Sequence, residues 1–259
     1  MVPNATHTDI SMSAENRAVR TLPARMEDRL IVALDMPSVG AAREITRKLD
    51  GIASFYKVGL WLIFAPGFEA FLDELQARGC NIFLDAKMFD IGETVRRGIE
   101  RVAERGVAFV TIHGDGDIIR AAVEGRGAAP LKLLVVPALT SLNERGLREL
   151  GHSGTVTDLI AERARFALDC GVDGIIASPQ DNPNAIRRRL DAERLLVVTP
   201  GVRLAGAALD DHKRSGTPAQ AITDGADYLV VGRPIVQADD PADMTVHIVA
   251  DMKRGADTA

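Results

Sequence analysis

Short apolar runs alternate with longer segments of helical periodicity from Arg29 to the end of the chain. Eight of these runs are almost entirely apolar, which is typical of parallel strands buried on both faces. The predicted strands are residues 30–34, 55–58, 82–85, 109–112, 131–136, 174–177, 195–199 and 228–231. Between them, the periodicity predicts helices that include 39–49, 70–78, 93–105, 156–170 and 218–224.

Eight strand–helix units in succession predict a (β/α)8 TIM barrel of the α/β class. The chain has 259 residues, and closed α/β barrels commonly form a single domain of about 250 residues. A doubly wound sheet is the alternative, but that fold usually carries a glycine-rich fingerprint after its first strand. Here the sequence Asp35-Met36-Pro37-Ser38 follows the first predicted strand, which favours the barrel.

The first 27 residues differ from the rest of the chain. They are polar, include Pro3 and Pro23, and show no sustained period. We therefore predict a flexible or loosely docked extension over residues 1–27 and a barrel domain over 28–259. A short surface helix at 14–19 is the alternative for part of this extension.

The composition narrows the classes of function. The chain is 46% hydrophobic and can bury a large core, while its net charge of −5 gives little support to nucleic-acid binding. Cys80 and Cys170 lack a metal-binding spacing and are expected to be reduced thiols. The apolar runs are too short to span a bilayer, and the N-terminus lacks an apolar signal region. We therefore expect a cytoplasmic protein without membrane contact.

Charged and polar residues follow the apolar runs at several predicted strand ends. They are Asp35, Lys57, Asp85, Lys87, His113 and Arg233. Each has an ordinary explanation by itself, such as a helix cap for Asp35, a satisfied structural histidine for His113 or a surface ion pair for Arg233. In a TIM barrel, however, the carboxyl ends of all strands meet at one mouth, where active sites lie. We therefore expect these side chains to form one site.

The third strand carries the strongest signal, the segment Asp85-Ala86-Lys87-Met88-Phe89-Asp90-Ile91-Gly92-Glu93-Thr94. Asp85 and Lys87 are two residues apart, so in a regular strand they point to the same face. In a barrel this face is the interior, where a carboxylate and an ammonium are costly unless they are paired. Asp90 follows where the chain turns toward a helix, and a helix N-cap is its structural alternative.

This segment resembles the DxKxxDIxxT signature of the orotidine 5′-monophosphate decarboxylases. The resemblance extends from Arg29 to about Ala242 through further segments in the family's order. They are LIVALD, YKVGLWLIFAPG, LTS at 139–141, VTPGVR at 198–203 and VGRPI at 231–235. The resemblance implies a barrel enzyme that converts orotidylate to UMP without a metal or other cofactor.

The resemblance also implies roles for the charged residues. Loss of CO₂ leaves a carbanion at ring carbon C6, and without a cofactor its stabilisation must come from electrostatics and a proton donor. Lys57, Asp85, Lys87 and Asp90 match the family's alternating charges, with Lys87 as the implied cation and general acid. Asp85 is implied beside the departing carboxylate. Lys57 would bridge Asp35 and Asp85 and contact the ribose, of which Asp35 would bind a hydroxyl.

Two further pairs are assigned only by the resemblance. Asp90 and Thr94 correspond to residues that reach into the neighbouring subunit's site, which implies a homodimer with two shared sites. Thr140 and Ser141 are implied at the pyrimidine edge. Pro137 precedes this loop and departs from the family's pattern, because it removes a backbone donor.

The phosphate group of the substrate would lie after the seventh and eighth strands, as in many barrels of this class. The implied residues are Pro200, Arg203, Gly232 and Arg233. Residues 202–216 resemble the family's phosphate-gripping lid, in which His212 stands where the family usually has glutamine. Imidazole can donate one hydrogen bond to the ligand but does not reproduce an amide's paired donor and acceptor.

Two other functions stay open from the residues alone. A sugar-phosphate decarboxylase or aldolase of the same barrel group would share the DxKxxD-like strand and the phosphate site but would need Mg²⁺. A non-catalytic barrel that binds a nucleotide phosphate would need the phosphate site and could do without Lys57, Asp85, Lys87 and Asp90.

Overall fold

The computed structural model describes residues 20–204 and 216–258, which form a closed barrel of eight parallel strands. The strands are β1 (Leu30–Ala33), β2 (Phe55–Gly59), β3 (Asn81–Met88), β4 (Phe109–His113), β5 (Lys132–Val136), β6 (Gly174–Ile176), β7 (Leu196–Pro200) and β8 (Tyr228–Val231). Sequence neighbours pair with each other, and β1 pairs with β8 to close the barrel. The predicted (β/α)8 fold is therefore confirmed over the doubly wound alternative.

Helices follow the strands along the chain. They are α1 (Val39–Lys48), α2 (Leu60–Ile63), α3 (Phe68–Ala77), α4 (Gly92–Glu104), α5 (Gly116–Arg126), α6 (Glu144–Glu149), α7 (Val156–Asp169), α8 (Pro183–Leu190), α9 (Pro218–Thr223), α10 (Arg233–Val236) and α11 (Pro241–Asp257). The five predicted helices begin and end within two residues of the predicted positions. Within residues 20–204 and 216–258, none of the helices is long and apolar enough to cross a membrane.

Side chains fill the interior of the barrel. Phe55, Phe83, Phe109 and Tyr228 point inward and pack edge to face, with ring centroids 5.0–6.0 Å apart. The other face of the strands packs against the helices in a second, larger cluster. Because the middle of the barrel is packed, a substrate has to bind at one of its ends.

Residues 20–27, the described part of the predicted extension, contact the N-terminal end of the barrel. Leu22 packs against the interior cluster, and Arg20 Nε lies 2.6 Å from Asp227 Oδ1. Asp227 directly precedes β8 and is buried together with Arg187, its second cationic partner. This end of the barrel therefore carries a buried ionic cluster, while the predicted site lies at the opposite end.

Candidate active site

Four charged side chains form a continuous row at the carboxyl-terminal end of the barrel. Asp35 comes just after β1, Lys57 lies in β2, and Asp85 and Lys87 lie in β3. Lys57 Nζ lies 2.9 Å from Asp35 Oδ1 and 3.2 Å from Asp85 Oδ2. Lys87 Nζ lies 2.7 Å from Asp85 Oδ1. These four residues, hereafter the charged row, alternate in sign from one end to the other.

The inner two members of the charged row are buried, and the outer two reach solvent. The side chains of Lys57 and Asp85 are 10% and 13% exposed, against 53% for Asp35 and 43% for Lys87. Burial lowers the pKa of Lys57, but the carboxylates of Asp85 and Asp35 outweigh it and hold this pKa above its ordinary value. Burial raises the pKa of Asp85, but Lys57, Lys87 and a hydrogen bond from Thr111 outweigh it and lower this pKa overall. Both inner groups are therefore ionised at neutral pH.

An irregular stretch of β3 brings Lys87 to Asp85. The register of β3 against β4 shifts between Leu84 and Met88. Lys87 lies in this stretch with a φ of 45°, a left-handed conformation that is unfavourable for a residue with a Cβ atom. The pair that the two-residue spacing predicted is present, but a local bulge rather than a regular pleat produces it.

The ordinary explanation for Asp35 does not hold, whereas His113 lies apart from the row. The N-cap of α1 is Ser38, whose hydroxyl accepts a hydrogen bond from the Ala41 amide at 3.2 Å. Asp35 is therefore not the cap of this helix. His113 Nδ1 lies 3.5 Å from Asp115 Oδ2. In the described parts of the chain, no hydrogen bond or ion pair joins His113 to the charged row.

Gly59 lets the backbone approach the charged row closely, and Gly232 lies near the first carboxylate of the row. A Cβ atom at Gly59 would lie 3.2 Å from Asp35 Oδ1 and 3.4 Å from Lys57 Nζ. A Cβ atom at Gly232 would lie 3.3 Å from the Ala33 Cβ and 4.0 Å from Asp35 Oδ2. The end of β8, where the phosphate site was predicted, is therefore adjacent to the first carboxylate of the row.

The residues predicted for phosphate binding lie after β7 and β8, which are neighbours in the barrel. Pro200 ends β7, and Arg233 begins α10 directly after Gly232. The Arg203 amide donates a hydrogen bond to the Gly216 carbonyl at 3.0 Å. Both ends of the predicted lid are thus held together next to β7. Residues 205–215, and with them His212, lie outside the described residues.

The loop after β5 carries Thr140 and Ser141. Thr140 is half-buried and Ser141 is exposed. Ser141 lines a surface hollow of about 340 Å³ together with residues of α6, and no member of the charged row lines this hollow. The Pro137 carbonyl accepts a hydrogen bond from Arg163 at 2.7 Å. The start of the loop is therefore tied to α7, although Pro137 itself has no amide hydrogen to donate.

Asp90 and Thr94 are exposed, Asp90 in the connection between β3 and α4 and Thr94 on α4. The N-cap of α4 is Ile91, so Asp90 is not the cap of this helix. Among residues 20–204 and 216–258, no hydrogen bond or ion pair links Asp90 or Thr94 to the charged row. The single chain therefore joins Lys57, Asp85 and Lys87 of the predicted array and leaves Asp90 apart.

Comparisons with known proteins agree on one family. The family described as "Orotidine 5'-phosphate decarboxylase / HUMPS family" matches residues 28–248. The chain belongs to this family. An orotidine 5'-phosphate decarboxylase of Rhodopseudomonas palustris is 46% identical over 219 residues, which cover 85% of this chain and 92% of that relative. One of Ruegeria pomeroyi is 46% identical over 227 residues, which cover 87% and 94%.

A solved structure agrees with these relatives. The crystal structure of orotidine 5'-phosphate decarboxylase from Lactobacillus acidophilus matches with a TM-score of 0.75 and 32% sequence identity. The match covers 87% of this chain and 99% of that one. The resemblance of the sequence to the orotidine 5'-phosphate decarboxylase family is thereby confirmed over the whole barrel.

The carboxylates of this family member are engaged by lysines. Asp35 and Asp85 both bind Lys57, and Asp85 also binds Lys87. Within the described ranges, no three His, Cys, Asp or Glu side chains are grouped so that they could share a metal ion. A Mg²⁺ ion at Asp35 and Asp85 would have to displace Lys57, so the donor set does not fit the metal-dependent alternative.

Two further residues, Gly59 and Thr111, belong to the site and were not predicted from the sequence. The Thr111 hydroxyl lies 2.8 Å from Asp85 Oδ1 and 3.0 Å from the Lys87 amide. A pattern shared by three strands could have indicated Thr111. In each of them, an inward phenylalanine is followed two residues later by a polar residue. The three segments are Phe55-Tyr56-Lys57, Phe83-Leu84-Asp85 and Phe109-Val110-Thr111. This repeat places Thr111 in the same interior layer as Lys57 and Asp85.

Proposed function

We propose that this chain decarboxylates orotidine 5′-phosphate to UMP at the mouth of the barrel. The observation that carries the proposal is the charged row, in which Asp85 is buried between two lysines. A buried ionic network of this kind is weak evidence for stability, because desolvation offsets its attraction. A protein that only bound a nucleotide phosphate would have no use for it.

The reaction breaks the bond between C6 and the carboxylate, and the electron pair stays on C6. Lys87 supplies the nearby positive charge and then transfers a proton from Nζ to C6. It suits this role because its side chain is the partly exposed end of the row, next to the open mouth. Lys87 then regains a proton from solvent, which completes the turnover.

Asp85 has two effects on this step. Its negative charge opposes the carboxylate of the bound substrate, and this repulsion disappears once CO₂ leaves. Its Oδ1 atom also aims the Lys87 ammonium through the contact at 2.7 Å. Lys57 holds the other carboxylate oxygen and links it to Asp35, which is suited to bind a ribose hydroxyl.

The rest of the nucleotide is bound by groups around the row. Arg203 and Arg233, with the backbone of Pro200 and Gly232, bind the phosphate after β7 and β8. Thr140 and Ser141 contact the pyrimidine edge, and His212, which lies outside the described residues, is a further candidate to bind the nucleotide. Gly232 is adjacent to Asp35, so a phosphate and a ribose can be held side by side.

Asp90 and Thr94 complete the site of a second copy of the chain in a symmetric homodimer. The support is that Asp90 is separate from its own row while its neighbours Phe89 and Ile91 are exposed apolar side chains. Trp61 and Phe64, which follow β2, are exposed as well. Burial of these side chains between two copies would bring each Asp90 toward the partner's site.

The net charge of −5 favours a small-molecule substrate over nucleic acid, and a cytoplasmic location stays a prediction.

The direct test is an ultraviolet absorbance assay of the purified protein with orotidine 5′-phosphate, with and without EDTA. We expect UMP to form at the same rate in both. A Lys87→Ala variant should bind UMP normally but lose turnover by about three orders of magnitude or more, the size expected when a general acid and its charge are both removed. Turnover abolished by EDTA would point to the metal-dependent alternative, and near-normal turnover of Lys87→Ala would contradict the role of Lys87.

The shared site is tested by mixing two inactive variants, Lys87→Ala and Asp90→Ala. Random dimers of the two contain one intact site in half of the molecules, so about a quarter of the wild-type activity should return. A mixture that stays inactive would contradict the shared site without affecting the proposed reaction.

A further inference from the structure

The Thr111 hydroxyl contacts both Asp85 and Lys87, the two residues of the charged row nearest to the proposed reaction. Thr111 lies in β4 and is fully buried. Its Oγ1 atom lies 3.0 Å from the Lys87 backbone nitrogen and 2.8 Å from Asp85 Oδ1. An amide N–H can only donate, so the hydroxyl accepts from Lys87. An ionised carboxylate can only accept, so the hydroxyl proton goes to Asp85.

We propose that Thr111 is a positioning residue for the decarboxylation, and that its hydroxyl holds Asp85 and the backbone of Lys87 in their reactive arrangement. This inference rests on the proposed function. Thr111 touches neither the reacting carbon nor the departing CO₂ in this scheme. It acts through the direction in which Asp85 and Lys87 present their charges.

The backbone of β3 explains why a side chain is needed here. Leu84 pairs with Val110 and Met88 pairs with Ile112, but the register shifts between these two pairs. Lys87 falls within the shift and has a positive φ. A residue in this conformation persists only when its surroundings hold it. The hydrogen bond from the Lys87 amide to Thr111 takes the place of a regular bond between the two strands.

The hydroxyl also differs in kind from the other two groups that hold Asp85. Lys57 and Lys87 are cations, and Lys87 gives up its proton during the reaction. At that moment the attraction between Lys87 and Asp85 weakens. The Thr111 hydroxyl is neutral and does not take part in proton transfer, so it keeps Asp85 Oδ1 in place through this step. The branched side chain of threonine restricts its own rotation, which helps to aim the hydroxyl.

Two variants of Thr111 separate the hydroxyl from the shape of the side chain. Thr111→Val keeps the shape and removes the hydroxyl, whereas Thr111→Ser keeps the hydroxyl. We expect Thr111→Val to lower kcat by about 10- to 100-fold, the size expected from a small misalignment of reacting groups. KM and the dissociation constant for UMP should be unchanged, and Thr111→Ser should restore most of kcat. Thr111→Ala provides a second hydroxyl-free variant if the valine variant does not fold.

Thr199→Val is the matched control. Thr199 is also a fully buried threonine of a barrel strand, and its hydroxyl has no hydrogen-bond partner among the described residues. It precedes the site residue Pro200 but points to the helix side of β7, because its neighbour Val198 faces the interior. We expect its kcat to equal that of the wild type.

Three results would separate the possible failures. A hydroxyl-free variant with wild-type kcat would overturn the inference. Equal losses of kcat in the valine and serine variants would also overturn it, because they would indicate that packing rather than the hydroxyl matters. A wild-type protein without activity on orotidine 5′-phosphate would instead contradict the proposed function itself.

Discussion

The buried ionic cluster at the N-terminal end of the barrel allows a quantitative prediction. Asp227 Oδ1 accepts a hydrogen bond from Arg20 at 2.6 Å. Its Oδ2 atom accepts one from the Val197 amide at 2.7 Å and another from Arg187. The side chains of Asp227 and Arg187 are each 1% exposed. Burial lowers the pKa of the Arg187 guanidinium, and the charge of Asp227 opposes this change. Asp227 therefore compensates a cation that water cannot reach.

We expect Asp227→Ala to destabilise the protein severely, because it leaves Arg187 buried without its carboxylate. Breaking a buried ion pair from one side typically costs about 3–5 kcal/mol. For a chain of this size each kcal/mol lowers Tm by about 2–4 °C, so the expected decrease is roughly 6–20 °C. Arg20→Ala should have a smaller effect of about 1 kcal/mol, because Arg20 is partly exposed and Asp227 keeps Arg187.

The assays are thermal and urea denaturation followed by circular dichroism, with activity measured on the folded protein. The urea midpoint should fall strongly in Asp227→Ala, while kcat should be unchanged because the cluster lies at the end of the barrel opposite to the charged row. Glu104→Ala is the matched control, since its ion pair with Arg101 is on the surface and should contribute little. Equal midpoints for Asp227→Ala and Glu104→Ala would show that Asp227 does not compensate the buried charge of Arg187.

Three further changes test the barrel wall and the site. Gly174→Ala should lower the free energy of unfolding by about 1–3 kcal/mol in urea denaturation, because the new Cβ would lie 2.7 Å from the Leu196 Cβ and would also overlap the Leu196 carbonyl oxygen. Gly59→Ala should reduce kcat/KM without lowering the urea midpoint, because its Cβ would press on Asp35. The lowered pKa of Asp85 stabilises the fold above the ordinary value of 3.8, and this contribution is lost as the pH falls through the folded-state pKa. The urea midpoint of the wild type should therefore fall more steeply below pH 4 than that of Asp85→Asn, and parallel curves would contradict this.

The strands and helices were predictable because their signal is local. Most of the strands are short apolar runs buried on both faces, and the bounds of the five predicted helices agree with the periodicity within two residues. The charged residues at the strand ends were predictable for the same reason, since each follows an apolar run directly. Once eight such units are recognised, the geometry of a closed parallel barrel brings Asp35, Lys57 and Asp85 to one mouth.

The reason why Lys87 meets Asp85 was only partly predictable. Their spacing indicated a shared face, but the register shift in β3 and the positive φ of Lys87 depend on how β3 pairs with β4. The two hydrogen bonds of the Thr111 hydroxyl, accepted from the Lys87 amide and donated to Asp85, depend on the same pairing. The repeated phenylalanine-x-polar pattern indicates that Thr111 lies in the interior layer of Lys57 and Asp85. It does not show which polar atoms in this layer form hydrogen bonds with each other.

The eight-stranded barrel, its family and the charged side chains at the strand ends could be predicted from the sequence, because they depend on local periodicity and on motifs of fixed spacing. Which distant groups meet depends on the tertiary structure. Arg20 and Asp227 are 207 positions apart in the chain, yet they share a hydrogen bond at the barrel's N-terminal end. Such contacts form when the strands pair and the barrel closes. A pattern along the chain does not show which residues become neighbours when this happens.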